Sequence, residues 1–216
     1  MQARHAFVRY TRYILPLIIT TVVLSLTGPM LNAGMARLPD AEETLAAFGL
    51  AFGIVMFFFS PLNQVNNLGL SLVEDRVSYR RTQRFVIGAA AGFCLVLVAL
   101  GVSPAGTWLV RDLHGLSGRL MRPVLEIFVL LAALPLISGW SKYRMGVLMR
   151  YQRTIDISHA TFAKVAVSLG TVFLLLPLPF VRDKPILLPV LVTYAGVLTE
   201  WTVLDYAYRK HVRSHL

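Results

Sequence analysis

The chain has 216 residues, 56% of them hydrophobic and 15% charged, with a mean hydropathy of +0.64. Those values exclude a soluble domain, which needs a mixed charged surface. Twenty-one Lys and Arg against eleven Asp and Glu leave a net charge of +10, a balance that in a membrane chain marks the cytoplasmic loops. The single cysteine, Cys94, excludes an intramolecular disulfide and reads as a small apolar side chain.

A helix crosses roughly 30 Å of hydrocarbon with about 20 apolar residues. Six runs qualify: 14–36, 45–72, 85–102, 124–148, 157–180 and 186–207. The expected architecture is therefore an all-α membrane protein, residues 1–216 forming one domain of six transmembrane helices. The first run is long and lacks a small-residue cleavage site, so it is expected to stay as a span.

Span one carries Thr21, Ser25, Gly28 and Asn32 on one side with Pro29 between them. Proline frees a backbone carbonyl and lets a helix bend; a gating bend and a static kink both fit. In span two, Gly49, Gly53, Ser60, Asn63, Gln64, Asn67 and Ser71 fall within roughly one third of the circumference at about 100° per residue, with Asn66 just outside. Asn and Gln in hydrocarbon need partners, so this seam faces other helices or a wet cavity. The stretch 103–122 is too charged to span and reads as an outer connection, with Trp108 at the lipid interface.

Span five contains one lysine in an apolar run, "ATFAKVAVSLG". Thr161, Lys164, Ser168 and Thr171 share a stripe, which places Lys164 about seven residues, or roughly 10 Å, inside the span. Glu200 on span six lies about as deep, with Thr193 and Gly196 on its face. Three readings stand side by side: the lysine snorkels to the interface, it forms a structural pair with Glu200, or the pair helps line a charged transport cavity. Lys142 and Arg144 reach the same depth if span four runs to about 148, and are loop cations if it stops near Trp140.

The basic residues fall unevenly between the spans. Arg4, Arg9, Arg12, Arg76, Arg80, Arg81, Arg84, Lys142, Arg144, Arg150, Arg153, Arg209, Lys210 and Arg213 share one side if the spans alternate, and the other side is near neutral. By the positive-inside rule both termini are cytoplasmic.

No enzyme is expected. His5, His114, His159, His211 and His215 are dispersed, which argues against a metal centre, and no GxSxG, HExxH, phosphate-binding loop or dinucleotide motif is present. Glu126 and Asp205 stand isolated near span ends and read as solvated or capping groups. No cofactor is indicated. Nucleic acid is excluded as a partner because the basic residues are split among four juxtamembrane segments, of a kind that attracts anionic lipid.

The chain resembles the N-terminal half of the progressive ankylosis family, within the multidrug/oligosaccharidyl-lipid/polysaccharide (MATE-like) exporter superfamily. The resemblance is carried by Leu15-Pro16, by "LNAGMA" with Asn32 and Gly34, and by "LAAFGLAFGIVMFFFSPL" with Gly49, Phe57 and Pro61. It continues through Gly146 with its basic turn and "PILLPVLVTYAGVL" with Pro185, Pro189, Tyr194 and Gly196. Lys164 and Glu200 depart from the family pattern, so no substrate is carried over through them. The resemblance implies a six-helix half bundle that ordinarily occurs twice, enclosing a central cavity; with one bundle here, a parallel homodimer is the expected assembly. It also implies an inner (plasma) membrane exporter working by alternating access on an organic or phosphate-bearing anion. The expected cavity residues are Asn32, Asn63, Asn67 and Lys164. Lys142 and Arg144 are the expected cations of the cytoplasmic mouth, and Glu200 is a partner or coupling carboxylate. A lipid-linked sugar or drug as cargo, and a non-transporting scaffold, are the competing expectations.

Overall fold

The structure is a computed structural model that describes residues 15, 18, 21–115 and 118–212. The described residues are mostly helical, without strands. Residues 21–25 are helical and end in a turn at Leu26, three residues before Pro29, after which α1 spans Thr27–Met35. The first turns of the predicted first span, residues 14, 16, 17, 19 and 20, lie outside the described residues, as do Arg4, Arg9 and Arg12.

Helix α2 (Ala41–Phe59) runs through a 3-10 turn at Ser60–Gln64, which holds Pro61 in its first turn, into α3 (Val65–Ser71). Helix α4 (Arg76–Val102) begins nine residues before the predicted span. A capping box explains that start: the Ser78 N–H donates to the Asp75 carboxylate at 2.7 Å and the Asp75 N–H donates to Ser78 Oγ at 3.0 Å. The outer connection is a short helix, α5 (Pro104–Trp108), continuing as a wide turn over Leu109–Leu113, with Trp108 exposed.

The predicted fourth span is not one rod. It divides into α6 (Met121–Leu130) and α7 (Leu134–Arg150), bent by 47°. Pro135 sits in the first turn of α7, where proline has no amide to waste, and cannot continue the preceding helix. The freed Leu130 carbonyl accepts from the Tyr194 hydroxyl at 2.8 Å. After α8 (Thr154–Leu175) and the short α9 (Pro179–Asp183), α10 (Leu187–His211) closes the chain. Four helical stretches are long and apolar enough to cross a membrane, 41–71, 76–102, 154–175 and 187–211, and the bent α6–α7 pair makes a fifth.

Arg144 reaches the first turn of α4 and the last turns of α10, while Arg150 donates to the Leu70 carbonyl at 3.0 Å. The starts of α4 and α8 and the ends of α3, α7 and α10 therefore gather at one basic end. The apolar core has two parts. One holds Phe48, Val55, Phe128, Val172, Leu188 and Val192; the other, at the basic end, holds Leu62, Val86, Tyr143, Ala160 and Leu204. Two close helix crossings set this packing. A Cβ on Gly146 of α7 would fall on the Asn66 backbone of α3, and one on Gly196 of α10 would strike Ser168 Oγ of α8, so only glycine lets these backbones approach.

Candidate functional site

Two charged clusters and one uncovered face hold the residues that sequence reasoning singled out. The first cluster lies in the belt between the two halves of the core. On α8, Lys164 is ten residues past Thr154; on α10, Glu200 is eleven before His211. At 1.5 Å per residue both lie roughly 15 Å from the basic end, near the midplane of a bilayer. Lys164 Nζ donates to Glu200 Oε2 at 3.0 Å, and only 18% and 4% of the two side chains are exposed. The snorkelling reading is excluded, since the ammonium is held by the carboxylate. Gly196, one turn before Glu200, makes the contact possible by letting α8 come close at Lys164 and Ser168.

Lys142 on α7 is partly buried and lies within electrostatic reach of both Glu200 and Lys164. It shares the face of α7 that carries Gly139 and Gly146. Lys164 is the direct partner of Glu200, and Lys142 is a second lysine near the same carboxylate without an ion pair to it.

Arg144 belongs elsewhere. Two residues along a helix turn it roughly 200° from Lys142, so the pair expected at one mouth is divided between opposite faces of α7. The Arg144 guanidinium donates to Asp205 Oδ1 at 3.1 Å and to the Tyr79 hydroxyl at 2.6 Å, and it lies 3.5 Å from the Tyr208 ring centroid. The Tyr79 ring stacks on Tyr208 at 5.6 Å, and Tyr143 donates to the Tyr79 carbonyl at 2.8 Å. Asp205 also takes Arg209 Nε at 2.7 Å. The expectation that Asp205 is a solvated or capping group is corrected: it is 8% exposed and counters two arginines. Glu126 does stay exposed, 4.0 Å from Lys184 Nζ.

The uncovered face belongs to α1, α2 and α3. All seven seam residues of the second span, from Gly49 to Ser71, are exposed. A Cβ on Gly28, Gly49 or Gly53 would meet nothing within 4 Å. Among the described residues, Gly49 and Gly53 therefore pack against no other helix. Asn32 and Asn63 are exposed as well, and Asn67 donates to Gln64 Oε1 at 2.8 Å along the same face. The structure does not bring these asparagines into contact with Lys164.

What sequence reasoning missed is the aromatic and arginine cluster. Its one local signal was the Asp205–Arg209 spacing of four on a helix, which places the two side chains together.

These features define a multi-pass helical membrane protein with ion pairs at bilayer depth and a polar helix face that the other described residues leave bare. The chain belongs to the progressive ankylosis protein family, whose model matches residues 1–216; that family comprises membrane transporters of the pyrophosphate/citrate type. No solved structure matches the chain.

Proposed function

We propose that this bundle is one half of a MATE-like exporter of the inner (plasma) membrane, pairing in parallel with a second copy and moving an organic or phosphate-bearing anion by alternating access. The carrying observation is the bare seam on α1, α2 and α3. Amide side chains left facing hydrocarbon would lack partners, and a second copy meeting them across a two-fold axis would supply partners or enclose a wet cleft. Lys142 and Lys164, outnumbering Glu200, supply the positive potential that an anion needs. Asn32, Asn63 and Asn67 supply neutral donors and acceptors, and Glu200 sets the charge of the site in its resting state. Transport, not catalysis, is the proposed activity.

Lys142 separates function from folding, because Lys164 alone already neutralises Glu200. In proteoliposomes, Lys142→Gln is expected to raise KM for citrate or pyrophosphate about tenfold, the equivalent of about 1.4 kcal/mol, with the thermal midpoint unchanged. Wild-type kinetics in that variant would remove the lysine from the site. For the pairing, Cys94→Ala carrying Gly53→Cys should give a cross-linked dimer in membranes. A stable complex with a different polypeptide and no self-association would overturn the dimer in favour of an accessory subunit.

A further inference from the structure

Apart from the lysine cluster and the bare seam, the flank formed by α4, α7 and α10 carries two cavities, one following the other along the same three helices. At the basic end, a cavity of about 360 Å³ is lined by Arg76, Tyr79, Arg80, Gln83, Arg144, Tyr208 and Arg209. Deeper in the span, an apolar groove of about 470 Å³ is lined by Ile87, Leu136, Ile137, Trp140, Leu198 and Trp201. Each helix contributes one continuous stripe to both. On α4 the stripe is Arg76, Arg80, Gln83 and Ile87; on α7 it is Ile137, Trp140 and Arg144; on α10 it is Leu198, Trp201, Asp205 and Tyr208. These spacings of three and four keep each set on one helix face. Trp140 is the joint, since it walls the groove while the Arg144 guanidinium lies 5.3 Å from its ring.

The geometry points to a phospholipid site, in which the phosphate of an anionic phospholipid sits among Arg76, Arg80, Arg144 and Arg209 and an acyl chain lies in the groove. Three observations carry it. First, the charge is unbalanced: the four arginines of the lining have two carboxylates beside them, Asp205, which pairs with Arg144 and Arg209, and Asp75, whose ion pairs among the described residues include none of the four. Second, Arg76 and Arg80 sit in the opening turns of α4, which hold no acidic residue in the first turn. The helix dipole is positive there, and with the Asp75 cap as the one carboxylate at this helix start the two cations favour a further anion. Third, Arg144 is 7% exposed and its Nε has no hydrogen-bond partner among the described residues. Trp140 Nε1, at the junction where glycerol ester oxygens would lie, also lacks one. Buried donors of this kind cost free energy until they are satisfied. From Arg76 to Ile87 the stripe runs roughly 16 Å at 1.5 Å per residue, the reach of a headgroup and the upper part of its chain. The basic end is the one that the positive-inside rule assigns to the anionic cytoplasmic leaflet.

The test uses the purified full chain in mild detergent, reading the thermal midpoint and, by native mass spectrometry, bound lipid. The probes are dioleoyl phosphatidylglycerol, dioleoyl phosphatidylcholine, glycerol phosphate and inorganic phosphate. Phosphatidylglycerol is expected to bind one to one and to raise the midpoint more than phosphatidylcholine, while the two soluble phosphates leave it unchanged. Arg76→Gln/Arg80→Gln, both at exposed positions, should weaken phosphatidylglycerol at least tenfold. Arg81→Gln/Lys210→Gln removes the same charge from the same end outside the cavity and should leave binding intact. Ile87→Trp/Leu198→Trp, which fills the groove, should also abolish the lipid preference. Equal stabilisation by both lipids, equal loss in the two charge variants, or full stabilisation by glycerol phosphate alone would overturn the site. The last of these results would mark a free-phosphate site instead.

Discussion

Helix α10 carries two buried carboxylates, Glu200 and Asp205, and their surroundings differ. Five residues turn them roughly 140° apart, so one looks toward α8 and the other toward α4 and α7. Glu200 has one direct partner, a lysine ammonium, at the level where the two halves of the core meet. Asp205 is shared by two arginines, and its inner partner Arg144 also holds a tyrosine hydroxyl and an aromatic face. The lesson concerns redundancy. A guanidinium spreads its donors over several groups, and an ammonium concentrates its charge on one, so the lysine pair is the brittle cluster and the arginine cluster the tolerant one.

The sharpest way to break this contrast is Lys164→Met. It leaves Glu200 buried and unpaired, and should cost about 3–5 kcal/mol in thermal unfolding. Lys164→Met/Glu200→Met should recover most of that loss, a coupling that a double-mutant cycle reads directly. Asp205→Asn should cost less, about 2–3 kcal/mol, because Arg144 keeps Tyr79 and Tyr208 and its cavity admits water. A larger loss for Asp205→Asn than for Lys164→Met would reverse the ranking. Tyr79→Phe removes one acceptor of Arg144 and is expected to cost about 1.5 kcal/mol, measured by the same unfolding assay.

The smallest effect lies just outside both clusters, at the capping box of α4. The Ser78 hydroxyl, and then its backbone N–H, hold the Asp75 carboxyl below its ordinary value of 3.8. A depressed folded value means that the contribution to stability is complete above pH 3.8 and is lost as pH falls through the folded value. Ser78→Ala should move the Asp75 titration back toward 3.8, seen by NMR of that carboxyl, with both ion-pair clusters unaffected. A change in the Lys164–Glu200 contact in that variant would show that the two regions are coupled.

Depth was legible in the sequence and direction was harder to read. Counting residues from the span ends put Lys164 and Glu200 at one level, and the structure joins them at 3.0 Å. The same depth count grouped Lys142 with Arg144, although a spacing of two on a helix puts side chains on opposite faces. The polar seam survived because a helical stripe is a local property; all seven of its residues are exposed together. What covers such a stripe is not local, and neither is the Arg144–Asp205 pair, whose members are sixty-one residues apart. Pro135 announced the break in the fourth span, yet continuous hydropathy across 124–148 concealed it. Tyr194 and Gly196, which carried the family resemblance, have separate physical duties here: one satisfies a carbonyl, the other admits a neighbouring helix.

That tyrosine has a mechanical corollary. Because the last long helix supplies the donor for the carbonyl released at the elbow of the fourth span, pulling that helix away from the bent elbow would orphan an oxygen in hydrocarbon unless the elbow travelled with it. Elbow and helix are latched into a single lever, and any rocking of this bundle has to carry them as one piece.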